Sequence, residues 1–137
     1  MRGLGSTPLW SCRRSLTLEA VSIRVLIVDD DIVFRDAIAA VLIERGYDVA
    51  ATVGSLSDAL AALETLDPDA VLLDIHLPDG NGLSFVESLP GDGRRPRVLL
   101  TSSDAHAAPA RLVKRSRAAG FVAKTDLLTE DLSRYLG

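Results

Sequence analysis

Asp74 closes an apolar run, Ala70-Val71-Leu72-Leu73, and a Pro-Asp-Gly-Asn-Gly turn follows almost at once. Three other apolar runs end in polar groups of matching use: Asp29 and Asp30 after 23–28, Thr101 after 97–100, and Lys124 after 121–123. A carboxylate can attack phosphorus and form an aspartyl phosphate. Three carboxylates gathered together repel one another, so a divalent cation or a positive side chain must accompany them. All-oxygen ligation suits Mg²⁺, which keeps some waters and takes one or two carboxylates. Such an ion would neutralise charge on a transferred phosphoryl group, Lys124 would pair with a second oxygen, and Thr101 would donate to a third. Neither His76 nor His106 sits in a His-Cys cluster, which argues against zinc. His76 reads as a loop residue offering only its backbone carbonyl. Taken singly, each residue has a plainer use: helix cap, strand-end hydroxyl, solvated loop charge. Jointly, at four strand ends, they point to chemistry.

The elements that must position these groups alternate along the chain. The run 23–28 reads as a strand, and Phe34, Ile38, Val41 and Leu42 then fall on one helical face. One of the acids Asp29–Asp31, with Asp31 best placed, caps that helix, and Gly46 stops it. A less hydrophobic strand over 47–53 fits a sheet edge. Ser55 or Ser57 opens a helix carrying Leu56, Leu60 and Leu63, and Pro68 turns the chain out before a buried strand over 70–73. A short helix uses Leu83, Val86 and Leu89, and PGDGRRP over 90–96 is a polar loop. The fourth strand, 97–100, precedes a loop over 102–106 and a helix from Pro109 to about Ala119, with Gly120 as its stop. A fifth strand over 121–123 and a final helix over 127–136, with Leu128, Leu132 and Tyr135 in helical spacing, complete the pattern. Five strand–helix alternations argue an α/β fold, a parallel sheet covered on both faces. Its carboxyl edge is where ligands collect in such sheets.

Composition narrows the classes. Hydrophobic residues are 47% of the chain, yet no apolar stretch approaches a membrane span, so no membrane partner is expected. Aromatics are only 4%, leaving Leu, Val, Ile and Ala to build the core. The lone Cys12 excludes an internal disulfide framework and fits a reducing, cytoplasmic setting. Residues 1–22 carry Gly, Ser and Arg without a sustained period, and they lack the apolar core of a secretory signal. They read as a disordered extension, a cloning remnant or residues translated from an upstream start. Without them, 12 basic and 18 acidic side chains remain, a net −6, which disfavours general nucleic-acid binding. The basic cluster Arg111, Lys114, Arg115 and Arg117 then reads as a solvated or partner-docking helix face.

The pieces VLIVDDD, VLLDIHLPDGNG, VLLTSS and GFVAKTDL together make 23–136 resemble a receiver domain of two-component response regulators. The resemblance implies a flavodoxin-like, five-stranded doubly wound sheet in order 2-1-3-4-5. It implies Asp74 as phosphoacceptor, Asp30 as direct Mg²⁺ ligand, Asp29 acting largely through water, and the His76 carbonyl completing the protein ligands. Thr101 and Lys124 would contact the phosphoryl group, and Phe121 would change rotamer on activation. The donor would be a histidine kinase or a phosphotransfer protein. An output domain or partner would read the face made by the fourth helix, fifth strand and fifth helix, about 109–136. The domain would catalyse only its own phosphorylation and slow hydrolysis.

Two departures stand out. Thr125 follows Lys124 where the family often has a cis proline. A non-proline cis bond costs about 2.5–4 kcal/mol, which favours a trans or strained loop here. The Lys-Thr-Asp-Leu ending resembles receivers that precede a helix-turn-helix output domain, and both a stand-alone receiver and part of a longer protein fit. Two rivals are weaker. An aspartate-nucleophile phosphohydrolase would place a second Asp two residues after the nucleophile, where this chain has His76. A degenerate receiver used as a constitutive binding module would not need Asp30, Asp74, Thr101 and Lys124 together.

Overall fold

The computed structural model describes residues 22–91 and 95–137; apart from Ser22, the expected extension lies outside the described residues. The elements are β1 (Arg24–Val28), α1 (Ile32–Glu44), β2 (Asp48–Val53), α2 (Leu56–Leu66), β3 (Ala70–Asp74), α3 (Gly82–Ser88), β4 (Arg97–Ser102), α4 (Ala110–Ser116), β5 (Gly120–Ala123) and α5 (Ser133–Leu136). A short antiparallel hairpin pairs His76–Leu77 with Gly80–Asn81 between β3 and α3. The five main strands pair in parallel in the order β2-β1-β3-β4-β5, as expected.

Strand periodicity sorts the core into two layers. Val25, Ile27, Ala70, Leu72 and Leu99 face a cluster with Ile38 and Leu42 of α1 and Leu136 of α5. Leu26, Val28, Val71, Leu73, Val98 and Leu100 face the opposite cluster, with Ala59 of α2, Val86 of α3 and Val113 of α4. Each fully buried Leu, Ile or Val contributes about 1.5–3 kcal/mol, so the central strands β1, β3 and β4 anchor the domain. β2 is only half-buried along most of its length, as befits an edge, and its register slips by one residue opposite Val25 and Leu26.

Helix ends follow local chemistry. Asp31 caps α1 by accepting from the Val33 and Phe34 N–H groups, and Ser55 caps α2 through the Asp58 N–H. Two helices depart from expectation. α4 ends at Ser116 rather than near Ala119, because Arg117 turns left-handed (φ 68°) and the Ser116 hydroxyl donates back to the Val113 carbonyl. Gly120 therefore does not stop that helix. It opens β5, where a Cβ would lie 2.5 Å from the Tyr135 ring. The final helix is shorter than expected, covering only Ser133–Leu136 after a 3₁₀ turn at Lys124–Asp126. Asp131 accepts from both the Ser133 N–H and its hydroxyl, a local bond that competes with a longer helix. Leu127, Leu132 and Leu136 are buried there, whereas Leu128 is 55% exposed. On α2, Leu60 is likewise 49% exposed, and the small Ala59 and Ala62 occupy the contact with the sheet.

Candidate functional site at the carboxyl edge of the sheet

Parallel pairing brings the strand-end groups together. Asp74 is the last residue of β3 and lies opposite Thr101 of β4, which lies opposite Val122 of β5. Asp29 leaves β1 with its N–H bonded to the Val53 carbonyl of β2 at 3.0 Å. The carboxylates of Asp29, Asp30 and Asp74 offer oxygens within 4.8 Å of one another. Asp29 and Asp74 are buried, while Asp30 is exposed.

Lys124 reaches across this group. Its ammonium stands 2.8 Å from Asp29 Oδ2 and 3.4 Å from Asp74 Oδ2. It also lies 4.4 Å from the centroid of the Phe34 ring, a cation–π contact from the first turn of α1. Asp29 Oδ1 accepts from the Asp31 N–H at 2.8 Å, and Asp74 Oδ1 accepts from the His76 N–H at 3.2 Å. Burial, and then the Asp29 charge, push the Asp74 carboxyl above its ordinary value, against the pull of the His76 N–H and Lys124. Burial works to lower Lys124, but Asp29 and Asp74 together outweigh it and raise the ammonium above its usual value.

One ammonium for three carboxylates leaves the pocket short of positive charge. Asp29 Oδ2 is buried without an aligned hydrogen bond despite the nearby ammonium. All-oxygen donors, excess negative charge and an exposed third carboxylate fit a hard divalent cation such as Mg²⁺.

Thr101 is buried, and its hydroxyl donates to the Val122 carbonyl at 2.7 Å rather than toward Asp74. Phe121 is half-buried and, with Ala108, Val113 and Ala118, lines a groove between α4 and β5. Of the expected site residues, Asp29, Asp30, Asp74 and Lys124 form one cluster, with Thr101 paired beside Asp74. Phe121 stands apart on the neighbouring face, and His76 is exposed on the hairpin. Arg111, Lys114, Arg115 and Arg117 are all exposed, and Arg115 stands 3.8 Å from Glu87 of α3. The sequence marks Phe34 only as a core-facing residue of the first helix; its position three residues after the capping Asp31 is the available sign that it borders the pocket.

Comparison with known proteins agrees with this fold. Residues 25–132 match the family described as response regulator receiver domain. A protein-glutamate methylesterase/protein-glutamine glutaminase 2 of Anaeromyxobacter dehalogenans is 34% identical over 114 residues, 82% of this chain and 33% of that protein. The DNA-binding response regulator MtrA of Mycolicibacterium smegmatis is 42% identical over 79 residues, 58% of this chain and 34% of that protein. The chain thus spans about a third of the length of these curated relatives. The signal receiver domain of the putative response regulator NarL from Mycobacterium tuberculosis superposes with a TM-score of 0.66 at 25% identity, covering 80% of this chain and 92% of that one. The chemotaxis response regulator CheY4 of Vibrio cholerae shares the fold, with a TM-score of 0.66 at 23% identity over 79% and 94% of the two chains. A five-stranded parallel sheet with an acid cluster and a lysine at its carboxyl edge, together with a family match over most of its length, gives one conclusion: the chain belongs to the response regulator receiver domain family.

Proposed function

We propose that Asp74 is the phosphoacceptor of a signalling switch, phosphorylated by a histidine kinase or phosphotransfer protein in the cytoplasm. The observation that carries this reading is the Asp74 carboxylate at a strand end, 3.4 Å from the Lys124 ammonium and within the acid cluster. One carboxylate oxygen attacks the phosphorus of a phosphohistidine. The new O–P bond forms as the P–N bond breaks, and the imidazole leaves with the bond's electron pair. Bound Mg²⁺ would neutralise charge on the transferred phosphoryl group. Asp30, Asp74 and the His76 carbonyl would hold it directly. Asp29, with one oxygen on the Asp31 N–H and the other near Lys124, would act through water. Lys124, nearer Asp29 (2.8 Å) than Asp74 (3.4 Å), would exchange its Asp74 contact for a phosphoryl oxygen while keeping Asp29. The exposed apolar side chains Ile32 and Val33, 60% and 81% accessible beside the acid loop, offer a docking surface for the donor protein.

The output follows from Thr101. To contact a phosphoryl group on Asp74, its hydroxyl must release the Val122 carbonyl and turn inward. The space vacated lies next to β5, where Phe121 is the large side chain able to follow. The signal would then emerge on the α4–β5–α5 face. Output domains or partners reading that face belong to this proposal, and the net acidic charge argues against direct nucleic-acid binding. Intact-mass measurement after incubation with a small acyl-phosphate donor tests the reading. The chain should gain one phosphoryl group only when Mg²⁺ is present, and Asp74→Asn should gain none. Equal labelling of Asp74→Asn would overturn it.

A further inference from the structure

The hairpin that follows Asp74 is held at its tip by a residue outside the acid pocket. Asp79 places one carboxylate oxygen 2.8 Å from the Leu56 N–H and the other 3.0 Å from the Ser57 N–H, the first two amides of α2. Those donors have no partner within the helix, and a carboxylate there also meets the positive end of the helix dipole. Both N–H groups hold the Asp79 carboxyl below its ordinary value, so it is charged at neutral pH. Gly80 completes the join, since a Cβ there would come within 2.8 Å of the Leu56 side chain.

The segment that Asp79 grips is also tied to the other half of the pocket. The Val53 carbonyl accepts from the Asp29 N–H at 3.0 Å, and Arg35 of α1 donates to the Asp29 carbonyl at 3.1 Å. A Cβ on Gly54 would stand 3.0 Å from that guanidinium and 3.7 Å from the Asp30 Cα, so this stretch lies directly against the β1–α1 loop. The two halves of the acid pocket, Asp29–Asp30 and Asp74–His76, are therefore both fastened to residues 53–57. On the Asp74 side the fastening runs through Asp79.

We infer that Asp79 is a positioning residue for cation binding: its grip on α2 sets the hairpin bearing His76 relative to the Asp29–Asp30 loop. The inference rests on the Mg²⁺ reading above. Mg²⁺ demands near-ideal octahedral geometry with ligands at about 2.0–2.1 Å, so a hairpin free to drift lowers affinity even when every ligand remains. Removing supporting groups around metal ligands commonly weakens affinity about 10–100-fold.

The test is a calorimetric Mg²⁺ titration of the full chain, with the melting temperature of each variant measured in parallel. Asp79→Asn should bind Mg²⁺ roughly ten-fold more weakly than wild type. The double variant Asp79→Asn with Ser57→Glu returns a negative charge to the first turn of α2 without reconnecting the hairpin. It should recover the melting temperature but not the Mg²⁺ affinity. Unchanged affinity in Asp79→Asn, or full recovery of affinity in the double variant, would overturn the inference and leave Asp79 as a helix cap alone. A wild-type chain that binds no Mg²⁺ would overturn both the cation site and its positioning residue, whereas wild-type binding with an unaffected Asp79→Asn would overturn only the latter.

Discussion

Thr101→Ala separates the stability role of this side chain from its proposed signalling role. The hydroxyl is 2.7 Å from the Val122 carbonyl and the residue is 1% exposed, so its removal strands a buried acceptor. That loss costs about 1–3 kcal/mol. The missing γ-methyl adds roughly 1 kcal/mol of lost burial. The expected total is about 2–4 kcal/mol, and at about 4 °C per kcal/mol the melting temperature should fall by roughly 8–16 °C. Thr101→Val keeps the volume and should lose only the hydroxyl share. Both variants should still accept a phosphoryl group at Asp74, because neither touches the nucleophile or the cation ligands. Amide chemical shifts with and without a phosphoryl mimic then read the coupling. Wild type should show shifts around Phe121 and along α4, and both variants should show much smaller ones. A partner needs to prefer the active state by only about 1–3 kcal/mol, so even partial loss of this coupling matters. If the variants' shifts around Phe121 match wild type, Thr101 does not carry the signal and the mechanism above is wrong.

Four further outcomes follow. Asp30→Asn should abolish useful Mg²⁺ binding in a titration while leaving apo stability unchanged or slightly raised, since it removes one of three repelling charges. Asp74 has its folded-state carboxyl raised above the ordinary value, so ionising it opposes folding. Asp74→Asn should therefore be more stable than wild type at neutral pH without Mg²⁺, and denaturation series should show the gain vanishing as pH falls below the ordinary carboxylate range. Gly82→Ala puts a Cβ 2.7 Å from the Asp74 carbonyl oxygen, and thermal melts should show a loss of about 1–3 kcal/mol together with weaker phosphorylation. Deleting residues 1–20 should shift the melting temperature by less than the few degrees that about 1 kcal/mol would produce.

The sheet and most of the site were legible because both rest on short-range signals. Short continuous apolar runs declare strands buried on both faces, and the right-handed, parallel alternation fixes which ends share an edge. Asp29, Asp30, Asp74, Thr101 and Lys124 could thus be collected before any distance was known. What stayed hidden depends on contacts between residues far apart in the chain or on local competition. The shortening of the last helix turns on Asp131 bonding to Ser133 rather than on leucine spacing. The left-handed Arg117 that ends α4 carries no residue-type signature, since glycine was the expected stop. Phe34 over Lys124 and Asp79 on α2 join residues that no sequence period relates. The direction of the Thr101 hydroxyl is set by the carbonyl available on β5, which only the folded sheet presents.

Phosphorylation of Asp74 itself has a direct chemical readout. Borohydride reduction converts an acyl phosphate to an alcohol, so a phosphorylated aspartate is read in peptide mass spectra as homoserine. After exposure to a small acyl-phosphate donor and Mg²⁺, homoserine should appear at position 74, with Asp29 and Asp30 unmodified. Homoserine at either of those two positions, or none anywhere in a folded Mg²⁺-bound chain, would contradict it.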